Sequence, residues 1–151
     1  MPRPLICRLD LDALLKKYAE YPQYEANGQC ARLVQVLCPD AGPTSGWKRG
    51  ERVIDVLPQL RPGTVVANFW FDRDEWRFPS RQGFHSGIYK QNGLSRIMPN
   101  GLPCAFTLID QWPGKYPGER GLAHVTPEMA KRDIRWAEEA NNADDFYVVM
   151  V

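Results

Sequence analysis

A chain of 151 residues is the size of one ordinary domain and can bury a core without metal or disulfide staples. Apolar residues at 44% and charged residues at 25% exclude a disordered chain, and 19 Lys+Arg against 18 Asp+Glu leave a net charge of +1. That balance excludes the electrostatic footprint of a nucleic-acid binder or a polybasic membrane anchor.

A single domain over residues 1–151 is therefore expected, with no membrane insertion, because no run nears the ~20 apolar residues of a span. The acids in "MPRPLICRLDLDALLKKY" break the apolar centre a signal peptide needs, so synthesis in the cytoplasm and export by another route are expected. Cys7, Cys30, Cys38 and Cys104 form no Cys-x-x-Cys pair. Their spacing supports neither a zinc site nor a redox motif and points to free thiols.

In chain order, Asp10 to about Ala19 reads as an amphipathic helix capped by Asp10, with Leu11, Leu14, Leu15 and Tyr18 on one face. A second helix opens after Asn27, its expected N-cap, and runs to about Leu37. "WKRGERVIDVLPQLRPG" reads as loop with a brief helical turn. "TVVANFWF", "HSGIYKQ" and "AFTLIDQW" are rich in β-branched and aromatic residues and bounded by turn formers, which predicts three strands of an antiparallel meander. The long stretch "WFDRDEWRFPSRQGF" between the first two reads as a loop that walls a cleft. "PGKYPGERG" reads as turn. Thr126 caps a third helix, with Pro127 at its first position, extending to about Ala140, and "FYVVMV" closes the chain as a strand. The order predicts an α+β domain with helices on one side of an antiparallel sheet.

Cys30 falls in the first turn of the second helix, where open backbone N–H groups and the helix dipole favour a thiolate. It reads either as a nucleophile or as a small buried hydrophobe. Gly28 before it would let a substrate carbonyl approach. A nucleophilic thiol needs a base and a group to orient that base. Of the two histidines, His85 begins the strand "HSGIY" with a glycine two residues on, whereas His124 reads as a surface or capping residue. Asp110 shares a strand face with Phe106 and Leu108, where an acid needs a partner, and His85 would supply one. Gln111 is the alternative third residue. Tyr24, Trp70, Trp76 and Trp112 are candidate cleft walls.

The ordered set "GQCARLVQ", "RPGTVVANF", "HSGIY" and "DQW", over about residues 24 to 112, resembles the NlpC/P60 and CHAP group of papain-like cysteine amidases. Within that superfamily it is most similar to the small type VI secretion amidase effectors. Gln29 and Ala31 around Cys30 depart from the common Asp-Cys-Ser start and favour the CHAP-like or effector branch. The resemblance implies a papain-like fold, Cys30 as nucleophile, His85 as base and then acid, and Asp110 as the orienting residue. Gly28, Gln29, Tyr24, Gln111 and Trp112 are the residues it suggests near substrate or oxyanion. It further implies an amide of peptidoglycan stem peptide or cross-link as substrate, with no metal and no cofactor. A secretion apparatus, a cognate immunity protein and action in the periplasm or cell wall of a target bacterium follow from the same likeness. A papain-like acyltransferase and a non-enzymatic glycan- or protein-binding module are the rival functions.

Overall fold

The computed structural model describes residues 1–79, 83–93, 105–132 and 139–151. Cys104 and the expected stretch of the third helix over 133–138 lie outside these residues.

The scaffold is an antiparallel sheet of six strands, β1 (Lys48–Arg52), β2 (Val65–Ala67), β5 (Ser86–Asn92), β6 (Ala105–Trp112), β7 (Lys115–Ala123) and β8 (Tyr147–Met150), in the order β1-β8-β2-β5-β6-β7. The predicted meander forms its centre as β2, β5 and β6. Val65 lies opposite Ile88, and Ile88 opposite Ile109. Alternation sends these three to one face, where α1 (Leu11–Glu20) and α2 (Cys30–Leu37) cover them with Leu11, Tyr18, Leu33 and Val34. Burying each such aliphatic chain contributes roughly 1.5–3 kcal/mol. The opposite face carries Val66, Tyr89, Phe106, Leu108 and Val148, which pack on Val53 and Ile54 of the short α3 (Val53–Val56) and on Ala143 and Phe146. The two longer helices thus share one side, as expected, and α3 with short helical turns closes the other.

α1 begins as its sequence predicts: the Asp10 carboxylate accepts the Ala13 N–H at 3.0 Å. Thr126 likewise accepts from the Met129 N–H at 3.2 Å at the start of α4 (Pro127–Arg132). Three expectations are corrected. "KRGER" is a strand rather than loop, paired with β8 at one sheet edge. "KYPGERGLA" is the nine-residue edge strand β7 rather than turn, and an edge position tolerates Pro117 and the glycines. Within the supposed cleft loop, β3 (Trp70–Asp72) and β4 (Glu75–Arg77) form a hairpin whose tip places both Arg73 and Asp74 at positive φ.

Free thiols are also not the rule. Cys7 and Cys38 form a disulfide, with Cα atoms 4.9 Å apart and a separation of 31 in sequence. They meet because the N-terminal segment pairs with both β8 and β2 (Leu5 N–H to Val149 O, Val65 N–H to Leu5 O) beside the end of α2. Among the described residues Cys30 is the free cysteine. No helix among them is long and apolar enough to cross a membrane.

Candidate active site

Cys30 is the first residue of α2. The expected cap is displaced by two residues: Gln29, with extended backbone, is the N-cap and offers no side-chain bond to the helix. Asn27 instead accepts the Gln29 N–H at 3.1 Å, tightening the turn before the helix. No capping side chain therefore covers the first N–H groups of α2, which remain available to an anion beside the sulfur.

His85 stands immediately ahead of β5 and is 6% exposed. Its backbone is clamped by Asn68, whose Oδ1 accepts the His85 N–H at 3.0 Å and whose N–H donates to the His85 carbonyl at 2.9 Å. On the ring, Nε2 lies 2.7 Å from Asp110 Oδ2, and Cys30 is a second hydrogen-bond partner of the imidazole, which leaves Nδ1 to the sulfur. Asp110 is fully buried. Gly87 makes that burial feasible, since a Cβ there would stand 3.3 Å from the Asp110 Cβ and 2.9 Å from the Ile109 carbonyl.

The electrostatics are consistent with a charge pair. Burial pushes the Cys30 thiol up, but the His85 hydrogen bond and charge, with Ser86 hydroxyl and backbone, outweigh it and hold the thiol below its ordinary value. Burial pushes His85 down, and its bonds to Asp110 and Cys30 more than reverse that. Burial raises the Asp110 carboxyl, yet His85, then Arg120 and Lys115, bring it to about 2. The Ser86 hydroxyl is buried without a well-formed hydrogen bond. Beside the sulfur it is a donor that a thiolate engages more strongly than a thiol.

Sequence reasoning missed the two cations on Asp110. Lys115 Nζ reaches Oδ1 at 2.9 Å and Arg120 Nε reaches Oδ2 at 2.9 Å. Arg120 also donates to Asn141 Oδ1 and the Ala140 carbonyl. The strand that carries both read as turn, so nothing local placed them opposite β6. Trp112 stands edge-on to His85, with ring centroids 5.6 Å apart, and both cations lie 5.1 Å from its ring.

Gln111 does not join this array. Fully buried, it accepts the Glu25 N–H and donates to the carbonyls of Glu25 and Gln29, all at 2.9 Å, so its amide is spent on the loop that delivers Cys30. Tyr18 of α1 donates to the Glu25 carboxylate at 2.9 Å and anchors the same loop. Gly28 turns that loop at φ +83°, with the Tyr24 ring 3.4 Å from where its Cβ would be. Tyr24 stacks on Tyr116 and accepts the Gly114 N–H.

A cleft of about 910 Å³ opens over the array, lined among others by Gln29, Cys30, His85 and Trp112. Phe78, Gly83 and Phe84, from the end of the expected cleft loop, also line it. Gly28, Tyr24, Trp70 and Trp76 are not among its lining residues. Trp76 packs on Phe71, Tyr147 and the Arg49 guanidinium instead. His124 pairs with Asp144, away from the cleft. Among the described residues no group of three or more His, Cys, Asp or Glu side chains is placed to hold a metal ion.

A thiol at a helix start, an imidazole and a buried carboxylate on an α+β scaffold are the groups that a thiol-dependent acyl hydrolase requires. The chain belongs to the domesticated amidase effector 2 (Dae2) family, which it matches over residues 16–149. Its structure is similar to that of the type 6 secretion amidase effector 2 (Tae2), with a TM-score of 0.59 and 22% sequence identity over 91% of each chain. Among curated proteins none matches it.

Proposed function

We propose that this amidase cleaves an amide of peptidoglycan stem peptide or cross-link through Cys30, His85 and Asp110. The observation that carries the reading is the continuous relay from Cys30 through the His85 ring to the buried Asp110, open to one cleft, in a member of an amidase-effector family.

The Cys30 thiolate attacks the scissile carbonyl, forming a C–S bond while the carbonyl π pair moves onto oxygen. N–H groups at the start of α2 and the Gln29 side chain, which lines the cleft, face that oxyanion. The imidazolium of His85 gives its proton to the amine nitrogen as the C–N bond breaks, leaving a thioester. His85, now neutral, takes a proton from water, whose hydroxide attacks the thioester. The acid leaves and the thiolate is restored. Asp110 holds the imidazole in place and stabilises its charged form throughout. Water completes the cycle in a cleft this open, which favours hydrolysis over transfer to another amine or alcohol. Cys30 in the cleft wall, rather than inside the core, argues against a binding module with an inert cysteine.

Delivery by a secretion apparatus to the wall of a target bacterium, with a cognate immunity protein in the producer, is the biological setting we propose. The fold likeness to a type 6 secretion effector supports it. Incubation with purified peptidoglycan, followed by mass analysis of the fragments, tests the chemistry. New amine and carboxylate ends are expected from the native protein and from His124→Ala, and none from Cys30→Ala or His85→Ala. Undiminished cleavage by Cys30→Ala would end the reading.

A further inference from the structure

The cleft is electrically one-sided. Among its described lining residues Arg32, Arg120 and His85 are basic and none is acidic. Lys115, behind the wall, and Arg120, in it, together outweigh Asp110 by one charge, and Arg32 adds a second. The two arginines differ in what they have to spend. Arg120 is bound to Asp110, Asn141 and the Ala140 carbonyl. Arg32 makes one bond, from Nη1 to the neutral Gln35 Oε1 at 2.7 Å, and has no ion pair among the described residues. Gln35 is itself held, donating to the Gly42 carbonyl at 3.0 Å, and it lines the same cleft. Among the described residues the Arg32 guanidinium is thus aimed by a fixed neutral partner and meets no compensating carboxylate.

Its place in the helix sharpens the point. Arg32 is the third residue of α2, a first turn that carries no acid. A cation there opposes the helix dipole, so the fold gains nothing from the charge. A residue that works against local stability while facing a reactive cleft marks a functional demand. Two positions along a helix set Arg32 roughly opposite Cys30 about the axis, so it serves a neighbouring subsite rather than the reacting carbonyl.

We propose that Arg32 forms a carboxylate-binding subsite, selecting peptides that carry a free carboxylate beside the amide to be cut. A guanidinium with its fork unspent is suited to such a group by geometry as well as charge. The inference rests on the amidase reading above and adds the substrate feature that reading leaves open.

The test uses two synthetic stem peptides that share one scissile amide and differ only in whether the adjacent carboxylate is free or converted to carboxamide. The native protein should favour the free acid by roughly tenfold or more in kcat/KM, chiefly through KM. Arg32→Gln should lose that preference, its kcat/KM for the free acid falling to its own value for the carboxamide, and Arg32→Lys should keep part of it. Binding of both peptides to Cys30→Ala protein, by calorimetry, should show the same preference without turnover, and Arg32→Gln in that background should abolish it. Equal preference in native and Arg32→Gln proteins overturns the subsite while leaving the amidase intact. Cleavage of neither peptide, with the binding preference retained, counts against the amidase reading and supports the subsite. Absence of both cleavage and preference overturns both.

Discussion

Asp110→Asn keeps the shape of a fully buried side chain and removes its charge. A carboxyl held at about 2 rather than its ordinary 3.8 stabilises the folded protein by roughly 2 kcal/mol at neutral pH. The amide also deprives two cations of their anion. Lys115 and Arg120 side chains are 25% and 18% exposed, so water offsets part of that loss. A total cost of about 3 kcal/mol at pH 7 is expected. The sign with pH follows from the depressed folded value: the carboxylate's contribution is complete above the unfolded value near 3.8 and fades as pH falls toward 2. Urea unfolding of native and Asp110→Asn proteins should therefore show a gap that shrinks as pH falls from 5 to 3. In the folded variant, turnover should fall by about 10³–10⁴ with little change in KM, because the imidazolium has lost its support. A stability gap of the same size at pH 5 and pH 3, or near-native turnover, would refute the argument.

Cys30, held below the ordinary thiol value by its partners, should react with iodoacetamide at pH 6 to 7 much faster than in denatured protein, and His85→Ala should erase the difference. Gln111→Met should cost about 2–4 kcal/mol by urea unfolding, since three backbone groups of the 25–29 loop lose their partner; turnover should fall less than in Asp110→Asn. Paired Cys7→Ser and Cys38→Ser should lower stability by about 3–4 kcal/mol, the loop-closure value for 31 positions, and reductant should do the same to the native protein. Turnover of the folded serine protein should be preserved, because neither cysteine lines the cleft.

What was legible divides along the sheet. β2, β5, β6 and β8 are central strands with β-branched and aromatic residues facing two cores, and their sequences announce it. β1 and β7 are edges, built from "KRGER" and "KYPGERGLA", whose charge, proline and glycine discourage pairing with another chain and mimic turns. The β3–β4 hairpin hid because Arg73 and Asp74 take positive φ without the Asn-Gly that usually signals such a tip. A helix start and strand alternation, both local rules, made Cys30, His85 and Asp110 candidates, and the resemblance to papain-like amidases joined them into one array. Lys115 and Arg120 could not be named, because their role depends on the pairing of β7 with β6, which places Gly118 opposite Asp110. The same holds for Cys7 and Cys38, which only the folded N-terminal segment brings together.

The end of β6 shows how one strand can serve two halves of a site. Alternation sends Asp110 and Trp112 to the His85 side, where one accepts from the imidazole and the other stands edge-on to it. Gln111, between them, points to the face of Ile109, against which α2 packs, and there it fastens Glu25 and Gln29. The loop it fastens contains Ala26 at φ +52°, a conformation that costs an alanine about 1 kcal/mol and persists only where neighbours hold it. The base and the nucleophile are therefore indexed to three consecutive residues of one rigid element. Both thus rest on a strand rather than on a loop, which holds sulfur and imidazole at a fixed spacing.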